Sequence, residues 1–135
     1  MDATIVKLVV AGVLGAHGIG HVLGWLPATG VVNFEGMSGQ SWLLSPTLGD
    51  GGTRLAAGLL FVVPTVGFLA AAGGLLLGQP WWRQVAVASA AVSLGAMAMY
   101  PQAFPTSSTI GSIAVDLAVL YGILVAGWGA EAGAA

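Results

Sequence analysis

The residues of this chain best suited to chemistry are few, and they sit inside apolar runs: His17 and His21, four apart, and Asp116 far along the sequence. Imidazole titrates near neutrality and can take or give a proton, and a carboxylate beside it can orient the ring or act as nucleophile or base. Arg54 and Tyr100 supply groups that stabilise developing negative charge. Such a set suits a cofactor-independent hydrolase, isomerase or cyclase. Epoxide opening, double-bond isomerisation and cyclisation of a lipophilic small molecule all need proton transfers in an apolar pocket and no redox partner. His17, His21, Asp116 and Arg54 are the expected catalytic residues, with Glu35, Trp42, Tyr100 and Ser112 around the substrate.

A second chemistry fits the same residues. His-x-x-x-His puts two imidazoles on one helical face, and Asp116 completes a two-His, one-carboxylate set for zinc or non-haem iron. The zinc-protease pattern requires Glu after the first His, and Gly18 stands there instead. With no Cys in the chain, thiolate metal sites, disulfides and thiol-redox mechanisms are excluded. A third reading is non-catalytic: a small membrane helper or carrier subunit, using the same polar groups to pair helices or capture a ligand.

Composition dictates the elements that must position these groups. Of 135 residues 57% are hydrophobic and only 6% charged, whereas soluble domains carry about 25% charged residues. Bilayer is therefore the expected solvent. The three basic residues offer no phosphate-binding stripe, which excludes nucleic acid as a partner. Runs at about 4–25, 53–77, 82–100 and 108–128 are each expected to span, forming one transmembrane domain: an all-α, integral membrane four-helix bundle with a long loop between helices 1 and 2. Pro64 is expected to kink the second helix, and Pro27 with Gly30 to stop the first. Met1-Asp2-Ala3-Thr4 lacks the basic start of a signal peptide, so the first run reads as a mature helix. Lys7 and Arg83 fall at one face and Arg54 at the other, which predicts both termini inside. Trp25 and Trp42 then mark the outer interface, and Trp81, Trp82 and Trp128 the inner one.

Depth follows from the 1.5 Å rise per residue. His17 lies eight residues before Trp25 and Asp116 eight after Ser108, so on antiparallel helices both fall roughly 12 Å below the same interface. His21 is level with Ser112, one turn shallower. Arg54, Tyr100 and the 26–52 connection belong to that end, which predicts one polar cavity in which His17 and Asp116 meet. The connection carries Phe34, Met37, Trp42, Leu43 and Leu44. These anchors predict a lid over the cavity, touching it through Glu35 or Trp42. Gly12, Ala16, Gly20 and Gly24 recur every four residues on the first helix and predict its contact face with a neighbour.

The segment His17-Gly18-Ile19-Gly20-His21 followed by Gly24-Trp25, with Arg54 heading the second helix, resembles the small four-helix bacterial membrane proteins of the DoxX-like kind. The resemblance implies a four-helix bundle over the whole chain and a place in a bacterial cytoplasmic membrane, with membrane lipid as a neighbour and a homo-oligomer left open. Asp116 departs from those relatives, whose fourth helix more often carries Asn, and the departure marks either a changed activity or a different family.

Overall fold

The computed structural model describes residues 2–129. Among them the chain is all-helical, with α1 at Ala3–Thr29, α2 at Ser45–Leu76, α3 at Trp82–Met99 and α4 at Thr106–Leu124. Three of these, α1, α2 and α4, are long and apolar enough to cross a membrane. α3 is not among the three, although its run was also expected to span. Its 18 residues cover about 27 Å, and it opens on Trp82-Arg83-Gln84 and carries Ser89 and Ser93. Its two serines are turned inward, since Ser89 and Ser93 are both buried.

Sequential neighbours pack side by side, α1 on α2, α2 on α3 and α3 on α4. Cross-helix contacts set the directions. Gly18 faces Phe68 while Gly58 faces Thr29, so α1 and α2 run antiparallel. Arg83 donates to the Ile123 carbonyl at 2.9 Å and Ser93 reaches Asp116, so α3 and α4 do likewise. One apolar core joins Leu14, Phe68, Trp82, Ala86 and Val119. A second, at the other end, joins Ala28, Phe61, Tyr100 and Phe104.

Helix ends differ from the expected ones for local reasons. α1 runs through Pro27 and stops at Gly30, the residue that can take the left-handed conformation (φ 77°) of its C-cap. Pro27 leaves a carbonyl without its helical donor, and the Thr29 hydroxyl donates nearby, to Trp25 O at 2.8 Å and Leu26 O at 3.2 Å. In α2 the non-helical residue is Gly49 (φ 64°, ψ −178°), a conformation open to glycine. The backbone stays helical through Pro64, where a kink is expected. The Thr53 hydroxyl bonds back to Gly49 O at 2.7 Å, and helix resumes at Asp50 rather than Thr53. α4 ends at Leu124 instead of Trp128. The chain turns back there, Trp128 N donating to Gly122 O at 2.8 Å, and the Trp128 ring lies on Gly122. Trp82, expected at the interfacial belt, is 2% exposed and belongs to the core.

The contact face of α1 also needs correction. A Cβ on Gly12 or Gly20 would meet nothing within 4 Å, whereas one on Gly18 would come to 3.1 Å from Phe68 Cβ and from Thr65 O, and 3.3 Å from Leu69 N. The buried residues are Ala11, Leu14, Gly18, His21, Gly24, Pro27 and Ala28, a stripe that advances by three and four up to Gly24. At about 100° per residue, a strict four-residue repeat precesses about 40° per step, so the Gly12–Gly24 row winds off the contact and rejoins it only at Gly24. A test follows. Gly20→Leu is expected to leave thermal unfolding in detergent unchanged, and Gly18→Leu to lower stability by about 1–3 kcal/mol, as overpacking does. Equal unfolding of the two variants would refute the assigned face.

Candidate functional site

Midway along the bundle, three helices bring four polar side chains together. His17 Nε2 of α1 lies 2.8 Å from Asp116 Oδ1 of α4. The Ser93 hydroxyl of α3 donates to Asp116 Oδ2 and lies 3.1 Å from His21 Nε2. A hydroxyl has one proton. With that proton given to the carboxylate, Ser93 Oγ can only accept from His21, so His21 carries its proton on Nε2 and leaves Nδ1 as a bare lone pair. His21 Nδ1 is indeed buried without a partner. The result is a continuous line from His21 through Ser93 and Asp116 to His17.

The line is dry. His21, Ser93 and Asp116 are fully buried, and the His17 side chain, 7% exposed, is its accessible end. Aromatic rings close around it. Phe68 stands edge-on to His17 at 4.8 Å between centroids and stacks parallel to His21 at 6.1 Å. Phe104 and Phe61 lie 6.1 and 6.3 Å from His21, and the two imidazoles are 4.9 Å apart, edge to face. Gly24 lets this happen, because any Cβ there would collide with the Cζ edge of the Phe104 ring. A packed polar group thus stands where an open polar cavity was expected. A carboxylate in hydrocarbon costs about 2.5–3.5 kcal/mol on insertion scales, and two hydrogen bonds on separate oxygens offset that here.

The remaining expected site residues lie elsewhere. Arg54 is exposed and its guanidinium sits over Gly30, at the C-terminus of α1, where the helix dipole favours a cation. Tyr100 is buried and donates to Thr53 O at 2.8 Å, pinning the end of α3 to α2. It packs on Phe61 at 6.0 Å, behind the ring that faces His21. Ser112 is half-buried one turn from Asp116, and the carboxylate takes its bonds from His17 and Ser93 instead.

The first connection does fold back on the bundle. Ser38 N donates to Gln102 O at 2.9 Å, Gln40 bonds Asp50 at 3.1 Å, and Gly39 presses on the Ala28 carbonyl. It does not touch the polar group. Trp42, 67% exposed, donates to Ala98 O at 2.7 Å, Glu35 is exposed, and Phe61 and Phe104 fill the space before His21. The expected lid therefore caps the end of the bundle rather than the site.

Ser93 was not among the expected residues, yet the depth arithmetic reaches it. It lies seven residues before Tyr100, about 10.5 Å in, level with His17 and Asp116. The aromatic wall of Phe61, Phe68 and Phe104 had no such signal, since a Phe in an apolar run looks like any lipid-facing residue. Compared with known proteins, the chain matches no family model, no curated protein and no solved structure.

Proposed function

We propose that the protein is an integral membrane enzyme that performs acid–base chemistry on a lipophilic small molecule, with His17 as the group that meets the substrate. The carrying observation is the buried line His21–Ser93–Asp116–His17. Asp116 holds His17 by Nε2, which leaves His17 Nδ1 to take a proton from substrate and return it. Asp116 stabilises the imidazolium so formed, the orienting role a carboxylate plays toward a catalytic imidazole. Ser93, itself held by His21, bonds the other carboxylate oxygen. The burial of the group favours isomerisation or cyclisation, in which a proton is removed and given back, over epoxide opening by water. The DoxX-like reading rests on the His17–His21 segment. Lys7 and Arg83 share one end of the bundle and Arg54 the other, which supports termini inside a bacterial cytoplasmic membrane.

The purified protein in lipid nanodiscs is expected to isomerise or cyclise at least one of a β,γ-unsaturated terpenoid ketone, a terpenoid epoxide and a linear polyene. In D2O the product should carry deuterium at the reprotonated carbon, read by mass spectrometry. No product from any of the three, with the protein folded, would remove the reading.

A metal-dependent variant has its own support. His17, His21 and Asp116 each offer a ligand atom, all within 4.8 Å of one another, and His21 Nδ1 has no partner. Zinc or ferrous iron bound at about 2.0–2.2 Å requires the rings to rotate inward and Ser93 to give way. It would supply a Lewis acid beside the same groups. Stoichiometric metal in protein purified without chelator, lost in His21→Gln, is the expected sign of it.

A further inference from the structure

α1 and α4 close the ring of helices more loosely than the sequential neighbours do, and a cavity of about 230 Å³ lies along that seam. Its lining is wholly apolar and includes Val9, Val13 and Leu14 of α1, Val115 and Val119 of α4, and Trp82. Leu14 and Val13 precede His17 by three and four residues, and Val119 follows Asp116 by three. Residues so spaced share a helical face, so the cavity ends one turn below the His17–Asp116 pair. On its other sides that pair is walled by Phe68, and the line behind it by Phe61 and Phe104.

The occupant follows from size and polarity. A cavity without polar lining gives water no hydrogen bonds and stays dry. A packed helix, about 10–12 Å across with its side chains, is too wide for it. A hydrocarbon chain is narrow enough, needs no polar partner and is already dissolved in the medium on which the seam opens. The volume exceeds the ~150 Å³ of an apolar cavity that admits benzene.

We infer that the groove between α1 and α4 binds the hydrocarbon chain of the substrate, which enters sideways from the bilayer and presents its reactive end to His17. Only the role of that end rests on the acid–base reading; chain binding stands on the groove alone. The substrate class is then a lipid-soluble molecule with an unsubstituted alkyl or isoprenoid tail.

The test uses the whole chain in phosphatidylcholine vesicles with a long-chain alkyl diazirine, photolysed and mapped by mass spectrometry. Adducts are expected at Leu14, Trp82 or Val119, all buried from bulk lipid, and they should be lost with excess hexadecane. They should also be lost in Ala118→Phe, because Ala118 is an exposed residue on the groove and a ring there fills it. Adducts at Leu59 and Val66, exposed on α2, should be unchanged by either treatment. Labelling confined to exposed residues, or insensitive to hexadecane and to Ala118→Phe, overturns the inference. Ala118→Cys would be the sole thiol of the chain, and its oxidation to a disulfide-linked dimer would overturn it too, by placing a second copy on the seam. Asp116→Asn should keep the protected labelling. Labelling without turnover of the test compounds removes the acid–base reading and leaves the groove; turnover without labelling does the reverse.

Discussion

Asp116→Asn is expected to leave the bundle folded in detergent and to lower turnover by about 10²–10⁴-fold, the range that a positioned acid–base group contributes. Asparagine keeps the shape. Its amide oxygen can still accept from Ser93, and its NH2 can donate to His17 Nε2, which moves the imidazole proton to Nδ1. That is the wrong tautomer for a base acting from Nδ1, and the charge that stabilised the imidazolium is gone. A residue that only clamps α1 to α4 would survive the change, since both helices remain bonded. Asp50→Asn is the control. Asp50 is an exposed loop-side acceptor from Gln40, and turnover should be that of the unaltered protein. The measurement is the initial rate of whichever test compound is converted, with circular dichroism to verify the fold; full activity in Asp116→Asn would end its proposed role.

Ser93→Ala should be the most damaging small substitution in α3. Membrane interhelical hydrogen bonds average only about 0.6 kcal/mol, but this hydroxyl serves two buried groups at once, Asp116 Oδ2 and His21 Nε2. Its removal leaves His21 Nε2–H without an acceptor as well as Nδ1 without a donor. A loss of about 1–3 kcal/mol, the usual cost of an unsatisfied buried group, is expected in thermal unfolding, together with reduced turnover. Ser93→Thr keeps the hydroxyl and should recover much of both. The variant also separates the two chemistries: were His17, His21 and Asp116 metal ligands, metal content would persist in Ser93→Ala. Unfolding of Ser93→Ala at the temperature of the unaltered protein would show that the line through Ser93 carries no weight.

Much of the architecture is legible in the sequence, because hydropathy and length act locally. Long apolar runs bounded by Gly and Pro can satisfy their backbone in lipid only as helices, and short connections force antiparallel neighbours. Depth is legible for the same reason, as the rise per residue is constant. That is why His17 and Asp116 could be matched across 99 residues. The exact helix ends were less so. Thr29, Thr53 and Trp128 settle them through bonds and contacts that depend on which partner is within reach.

Rotation about each helix axis is what the linear pattern leaves open. A residue's depth is decided by counting, but its direction changes by about 100° per position and is decided by what packs against it. In a chain that is apolar on all sides, the pattern itself marks no inner face. Hence the four-residue glycine row pointed to the wrong stripe of α1, and Arg54 and Tyr100, at the right end of the bundle, turned to Gly30 and Thr53 instead of the carboxylate. Hydropathy and spacing suffice for the helices, their order and the level at which the polar groups lie. Tertiary packing alone decided that Ser93 joins them, that phenylalanines rather than a loop enclose them, and that the open side is an apolar seam between α1 and α4, because only the packed neighbours fix which way each side chain faces.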